Sequence, residues 1–208
     1  MRLGLRMRRG AAALLLAVAL PAAAQEQNAS VSGRVTLGVQ GVQLADLGQS
    51  VVFLDPEAPT PGASSERLSI RQRNARFAPD FLAIAVGQTV EMPNDDQIFH
   101  NVFSFSKPND FDLGLYPAGE KRRVTFAHPG VVKIYCSIHE TMSGTIFVSP
   151  SPWFAVASTH GEFVISGVPA GRYTLRVWNE RLPETQRALT LAPGERRKLE
   201  LSLDAEAP

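Results

Sequence analysis

A single cysteine, Cys136, stands in 208 residues. No internal disulfide can form, and no site built from four thiolates, zinc or iron–sulfur, can be assembled from this chain. Any metal chemistry has to use mixed ligands. Methionine and histidine are scarce at four each, and aromatics make up only 8% of the chain. Basic and acidic residues nearly cancel, 21 against 20, so neither a basic nucleic-acid face nor an acidic disordered tail is encoded. Sustained 3.6-residue apolar periodicity is also missing, which argues against a helical bundle. The unbroken apolar run at residues 11–20 is about half of the roughly twenty residues a membrane span needs.

That run belongs to an N-terminal leader. Arg2, Arg6, Arg8 and Arg9 precede it with no acid among them, and Pro21 and Ala22-Ala23-Ala24 follow. A positive start, a short apolar stretch and small residues before Gln25 predict a signal peptide over residues 1–24, cleaved on export. The four leader arginines take the net charge from +1 to −3 in the mature chain. Export implies a periplasmic protein with no membrane span after cleavage.

What the mature chain does contain is short runs of Val, Ile, Phe and Thr, interrupted every eight to twelve residues or so by Gly, Pro, Asn or Asp. This is the pattern of an all-β protein. Strands are expected over residues 31–37, 50–54, 69–74, 82–86, 89–92, 101–105, 122–126, 130–135, 144–148, 162–165, 171–178 and 196–203. Twelve strands exceed one small sandwich. Pro- and Ser-rich stretches at residues 56–65 and 149–152 bracket a middle block over residues 67–149.

Within that block, Tyr135-Cys136-Ser137-Ile138-His139-Glu140-Thr141-Met142 gathers a thiol, an imidazole and a thioether at C-x2-H-x2-M. His100 lies upstream, after the polar turn of residues 93–97. A thiolate and two imidazoles with a weak axial thioether form the ligand set of a mononuclear blue-copper electron-transfer site. The predicted metal ligands are therefore His100, Cys136, His139 and Met142, with copper, one per chain, as the cofactor. Zinc is the alternative metal, but it seldom recruits methionine and wants a fourth N, O or thiolate donor. A lone cysteine can also be merely a small buried hydrophobe. His128, before Pro129-Gly130, and His160, before Gly161, read as turn residues.

The elements F-x-P (Phe77-Ala78-Pro79), V-G-x-T-V (Val86 to Val90), H-N-V (His100-Asn101-Val102) and the Cys136 loop occur in the order found in cupredoxins, which this block resembles. The resemblance implies a Greek-key sandwich in which Asn101, following the first ligand, braces the ligand loop by hydrogen bonds. The short loop is most similar to that of the amicyanins, electron acceptors of methylamine dehydrogenase, although Ile138 and Glu140 stand where prolines are usual. Downstream, Gly161-Glu162-Phe163 and Gly167-Val168-Pro169-Ala170-Gly171-Arg172-Tyr173-Thr174-Leu175 resemble a carboxypeptidase regulatory-like, transthyretin-type β-sandwich. Such a module also needs early strands like 31–37 and 50–54. The expectation is a cupredoxin at 67–149 inserted in a regulatory-like sandwich formed by 28–56 and 151–204. The arrangement is similar to exported proteins called methylamine utilization proteins.

The functional expectation is a periplasmic electron carrier cycling Cu(I)/Cu(II), not an enzyme, with a dehydrogenase as donor and a cytochrome as acceptor. No nucleic-acid partner is expected. Copper delivery or storage is the alternative, and an adhesion module with structural copper is another; the first wants more methionine than Met92 and Met142 provide. A multicopper oxidase needs about eight further imidazoles, and only His128 and His160 are left over.

Overall fold

The computed structural model describes residues 28–38, 42–58 and 66–204. The proposed leader, 1–24, lies outside the described residues, as do residues 59–65 of the Pro-rich stretch. The chain is all-β, with one 3-10 turn at Leu44–Leu47 among the described residues. Two strands come first, β1 (Ala29–Leu37) and β2 (Ser50–Pro56). The middle block supplies β3 (Leu68–Ser69), β4 (Arg71–Gln72), β5 (Phe77–Ala78), β6 (Phe81–Ala85) and β7 (Thr89–Pro93). It continues with β8 (Phe103–Ser104), β9 (Phe111–Asp112), β10 (Lys121–Thr125), β11 (Gly130–Tyr135) and β12 (Ser143–Ser149). Five strands close the chain, β13 (Phe154–Val156), β14 (Glu162–Val168), β15 (Gly171–Asn179), β16 (Thr185–Leu191) and β17 (Arg196–Leu203).

Pairing divides these strands into two sandwiches. β1 lies between β14 and β17, and β2 lies between β13 and β15, with β16 at the edge of that sheet. The two earliest strands thus pair with the last five and with none of β3 to β12. One apolar core fills the space between these sheets, with Val31, Val35, Leu54, Phe163, Leu175 and Leu203 among its members. The other sandwich sets sheet β10-β7-β3 against sheet β6-β12-β11-β8-β9, around a core that includes Ile84, Val90, Val102, Phe126, Ile134 and Ile146.

Strand periodicity explains how the sandwiches join. Along β2, Val52 and Leu54 face the first core, while Val51 and Phe53 face the opposite way into a third cluster with Phe147. Along β12, Ile146 and Val148 face the second core and Phe147 the third. A strand covered on both faces cannot alternate apolar with polar, which is why residues 51–54 read Val-Val-Phe-Leu. Trp178 stacks on Phe81, with ring centroids 6.1 Å apart and planes at 11°, and lies 5.0 Å from Phe147. Trp178 thus packs at the junction of the two sandwiches. The crossing from β12 to β13 is pinned to β2, because Ser151 Oγ donates to Leu54 O at 2.5 Å and Leu54 N donates to Trp153 O at 2.9 Å.

The glycine motif downstream has a steric basis. Gly161 sits at φ +81°, and a Cβ there would lie 2.0 Å from Val35 O, so only glycine allows β14 to begin against β1.

Several strand expectations need correction. The run expected at 69–74 divides into β3, parallel to β7, and β4, antiparallel to β5, because Asn74 and Ala75 turn the chain. The strand expected at 101–105 is only Phe103–Ser104. β5, β9, β13 and β16 were not anticipated; β16 carries Gln186, Arg187 and Thr190 on exposed positions of an edge strand and so lacks an apolar signature.

Candidate metal centre

The period of two along β11 carries Val132 and Ile134 into the second core, and its continuation carries Cys136 there too, 5% exposed, while Lys133 and Tyr135 face outward. The chain then makes a tight loop into β12. Met142 N donates to His139 O at 2.9 Å, and Cys136 N donates to Met142 O at 3.2 Å. Met142 itself is buried at 1% exposure among the same core side chains.

His100 reaches the loop from the far side. It forms an isolated bridge with Tyr116, Tyr116 N donating to His100 O at 2.8 Å, and its ring is fully buried. The ligand atoms of His100, Cys136 and His139 lie within 4.8 Å of one another. Cys136 Sγ is 3.7 Å from His100 Nδ1, and the two imidazole centroids are 4.9 Å apart. Asn101, next to His100, accepts at Oδ1 from Ser137 N at 2.7 Å and from Ser137 Oγ at 2.9 Å. It therefore ties the His100 segment to the residue following Cys136.

Within the cluster one buried polar atom lacks a hydrogen-bond partner, as Ser69 Oγ, Gln72 Oε1 and Arg176 Nε do elsewhere among the described residues. His139 Nδ1 is buried and has no hydrogen-bond partner. A buried polar atom left unpaired costs about 1–3 kcal/mol, and a metal ion between one thiol sulfur and two imidazole nitrogens satisfies it. Sulfur with imidazole is a donor set for copper or zinc rather than for calcium or magnesium. His128 and His160 sit exposed in turns, away from the group.

A buried polar frame surrounds the cluster. Tyr116 OH donates to Met92 O at 2.9 Å and accepts from Gln72 Nε2, and Arg122 lies over the Tyr116 ring at 4.9 Å. Burial pushes the Tyr116 phenol up to about 12, against the opposing Gln72 bond and the nearby Arg122 charge. Asn94, also fully buried, donates to Ile98 O at 2.8 Å and Tyr116 O at 3.1 Å and accepts from Asp96 N at 3.0 Å.

Sequence reasoning missed Asp96. Its Oδ2 lies 2.9 Å from His100 Nε2. Burial raises the carboxyl, but the Ala75 N–H, His100 and the Asn74 N–H outweigh it, so Asp96 is held below the usual carboxylate range. A carboxylate four residues before a suspected histidine ligand was the available signal.

His139 is half-buried, and exposed apolar side chains stand beside the segments that carry the histidines: Ile138 at 47% next to His139, Ile98 at 48% and Phe99 at 56% before His100, and Leu115 at 55% next to its bridge partner Tyr116.

No family model matches the chain, and no curated protein matches it. Solved structures do. A purple cupredoxin from Nitrosopumilus maritimus is 29% identical over 39% of this chain and 99% of its own, with a TM-score of 0.36. A copper-containing nitrite reductase from Thermus scotoductus SA-01 is 29% identical over 47% of this chain and 26% of its own, with a TM-score of 0.40. A reduced amicyanin variant is 18% identical over 47% of this chain and 98% of its own, with a TM-score of 0.39.

Proposed function

We propose that the protein is an exported, periplasmic electron carrier with a single type 1 copper held by His100, Cys136 and His139, and with Met142 as the weak axial ligand. The observation that carries this reading is the convergence of three ligand atoms within 4.8 Å around a buried, unpartnered His139 Nδ1. Copper bound there supplies a one-electron couple between Cu(I) and Cu(II). The chain's own residues set the conditions for it. Buried Cys136 and His100 exclude water, and the loop and Asn101 bonds hold the donors in place, so neither oxidation state has to rearrange them. His139 is the least buried of the three donors, and the exposed apolar side chains on the segments carrying His139 and His100 would offer a face that a partner can dehydrate on docking.

The pairing of β1 and β2 with the last five strands supports a cupredoxin-like unit, 67–149, inserted into a regulatory-like sandwich of 28–56 and 151–204. No enzymatic step is assigned to either sandwich. The redox partners proposed are a dehydrogenase, amine-oxidising or other, as donor and a cytochrome as acceptor. Both methionines that follow the leader are buried, Met92 at 0% and Met142 at 1%, so the delivery reading lacks an exposed thioether to exchange metal.

Titrating the apo protein with Cu(II) tests the proposal. The expected result is an intense visible thiolate-to-copper band at one copper per chain, bleached by reductant and absent in Cys136→Ser. A colourless wild-type complex, or metal taken up reversibly with no stable redox couple, overturns it.

A further inference from the structure

We propose that Asp96 is a positioning residue for the metal centre: its carboxylate holds the His100 imidazole with the proton on Nε2, so that Nδ1 faces Cys136 and His139 as a lone-pair donor. The redox consequence below rests on the copper reading; the tautomer does not.

The geometry leaves His100 little choice. Its side chain is fully buried, with Nε2 2.9 Å from Asp96 Oδ2 and Nδ1 3.7 Å from Cys136 Sγ. An imidazole that offers Nδ1 as a lone pair carries its N–H on Nε2, where the Asp96 carboxylate oxygen 2.9 Å away can accept it. The proton therefore sits on Nε2, the arrangement that frees the other nitrogen for a metal and raises its basicity.

Asp96 is itself held from a distant part of the chain. Asn74 N donates to Oδ1 at 2.6 Å, and Ala75 N donates to Oδ2 at 2.8 Å. Both donors lie in the left-handed region, at φ 55° and 52°, and Ala75 has no glycine-like freedom to be there. The turn is closed by reciprocal bonds, Arg73 N to Arg76 O at 2.9 Å and Arg76 N to Arg73 O at 3.2 Å. Asn94 Oδ1 holds the Asp96 N–H from the other side, at 3.0 Å. The β4–β5 hairpin, which contributes no ligand, thus fixes a full negative charge against the back of one imidazole. That charge strengthens the donor and favours the more positive metal state, Cu(II), over Cu(I).

Two measurements test this. In the metal-free wild type, long-range proton–nitrogen correlation of the His100 ring should show the Nε2–H tautomer; an Nδ1–H tautomer, or a ring protonated on both nitrogens, overturns the proposal. This reading needs neither a variant nor copper, so it stays decisive where copper loading fails or Asp96→Asn does not fold. In copper-loaded protein, Asp96→Asn should keep the visible band and weaken Cu(II) relative to Cu(I) binding by about 10-fold, which is about 59 mV upward in potential for one electron. A folded, coloured Asp96→Asn with the wild-type potential overturns the proposal.

Discussion

The two sandwiches have similar strand architecture and different interiors. Between β14-β1-β17 and β13-β2-β15-β16 the core is mostly apolar: Tyr173 donates its hydroxyl to Pro169 O at 2.7 Å, and buried Asn179 and Ser50 bond to each other at 2.9 Å at one end of β15 and β2. The other sandwich buries Gln72, Asn94, His100 and Asn101 at 5% exposure or less. Hydrophobic burial is non-directional and tolerates repacking, whereas a buried polar network fixes atoms to within tenths of an ångström and is penalised wherever one partner is missing. The first interior suits a scaffold. The second suits a site whose donors must not move.

If that contrast is right, substitutions in the two interiors should differ in kind. The largest expected effect is on the scaffold side: Leu54→Ala, at a fully buried position, should lower the unfolding free energy by about 2–5 kcal/mol in urea denaturation. The visible band of copper-loaded protein should stay where it is. A shifted band would mean that the two interiors are not separable.

The junction comes next. Trp178 is only partly buried, so Trp178→Ala should cost about 2–3 kcal/mol, below the 3–5 kcal/mol typical of fully buried tryptophan. Differential scanning calorimetry should then resolve two transitions where the wild type shows one. A single transition at lower temperature would leave the sandwiches coupled by something other than the aromatic cluster.

On the network side, Tyr116→Phe removes one oxygen and leaves Gln72 Nε2 and Met92 O with only their 3.4 Å bond to each other and the Gln72 bond to Pro93 O, for an expected loss of about 1 kcal/mol. It should also change the pH profile. The phenol is neutral when protonated, and its folded value, about 12, exceeds the roughly 10 of an unfolded chain. Its contribution is thus fully present below pH 10 and lost as pH rises from 10 to 12. Stability measured across that window should fall in the wild type and fall less in Tyr116→Phe.

The smallest effect is expected at the surface between the sandwiches. Lys133 Nζ lies 3.3 Å from Glu180 Oε1 and 2.7 Å from Thr145 Oγ1, with the lysine 45% exposed. Lys133→Met should change stability by less than about 1 kcal/mol. A larger loss in a thermal melt would promote this polar contact to a main tie between the sandwiches.

The candidate ligands were legible in sequence because their chemistry is local. Cys136, His139 and Met142 share one loop, and a thiol beside an imidazole has few structural explanations. Asp96 was not legible. It stands in a run of turn-forming residues, and its meaning depends on Asn74 and Ala75, some twenty positions earlier. The strands covered on both faces were half legible. The apolar run at 51–54 marked a strand, but only the three-dimensional stacking shows which core takes which side chain. β16 escaped because only its last residues, Leu189 and Leu191, turn apolar side chains into the core, and its first half is polar and exposed, too short a pattern to mark a strand.

The bond from Ser151 to Leu54 joins positions 97 apart in sequence. To the outer sandwich, everything between those two residues is one loop with its ends held together. An unstructured loop of that length would carry a closure entropy that grows by about 0.6 kcal/mol with each doubling. A loop that has already folded into its own sandwich, with its ends side by side, carries little of it. Residues 68–149 can complete their pairings as soon as they are available, while β1 and β2 have to wait for β13 to β17. The half that holds the candidate metal centre should therefore fold first and act as the clasp that brings the two parts of its neighbour together.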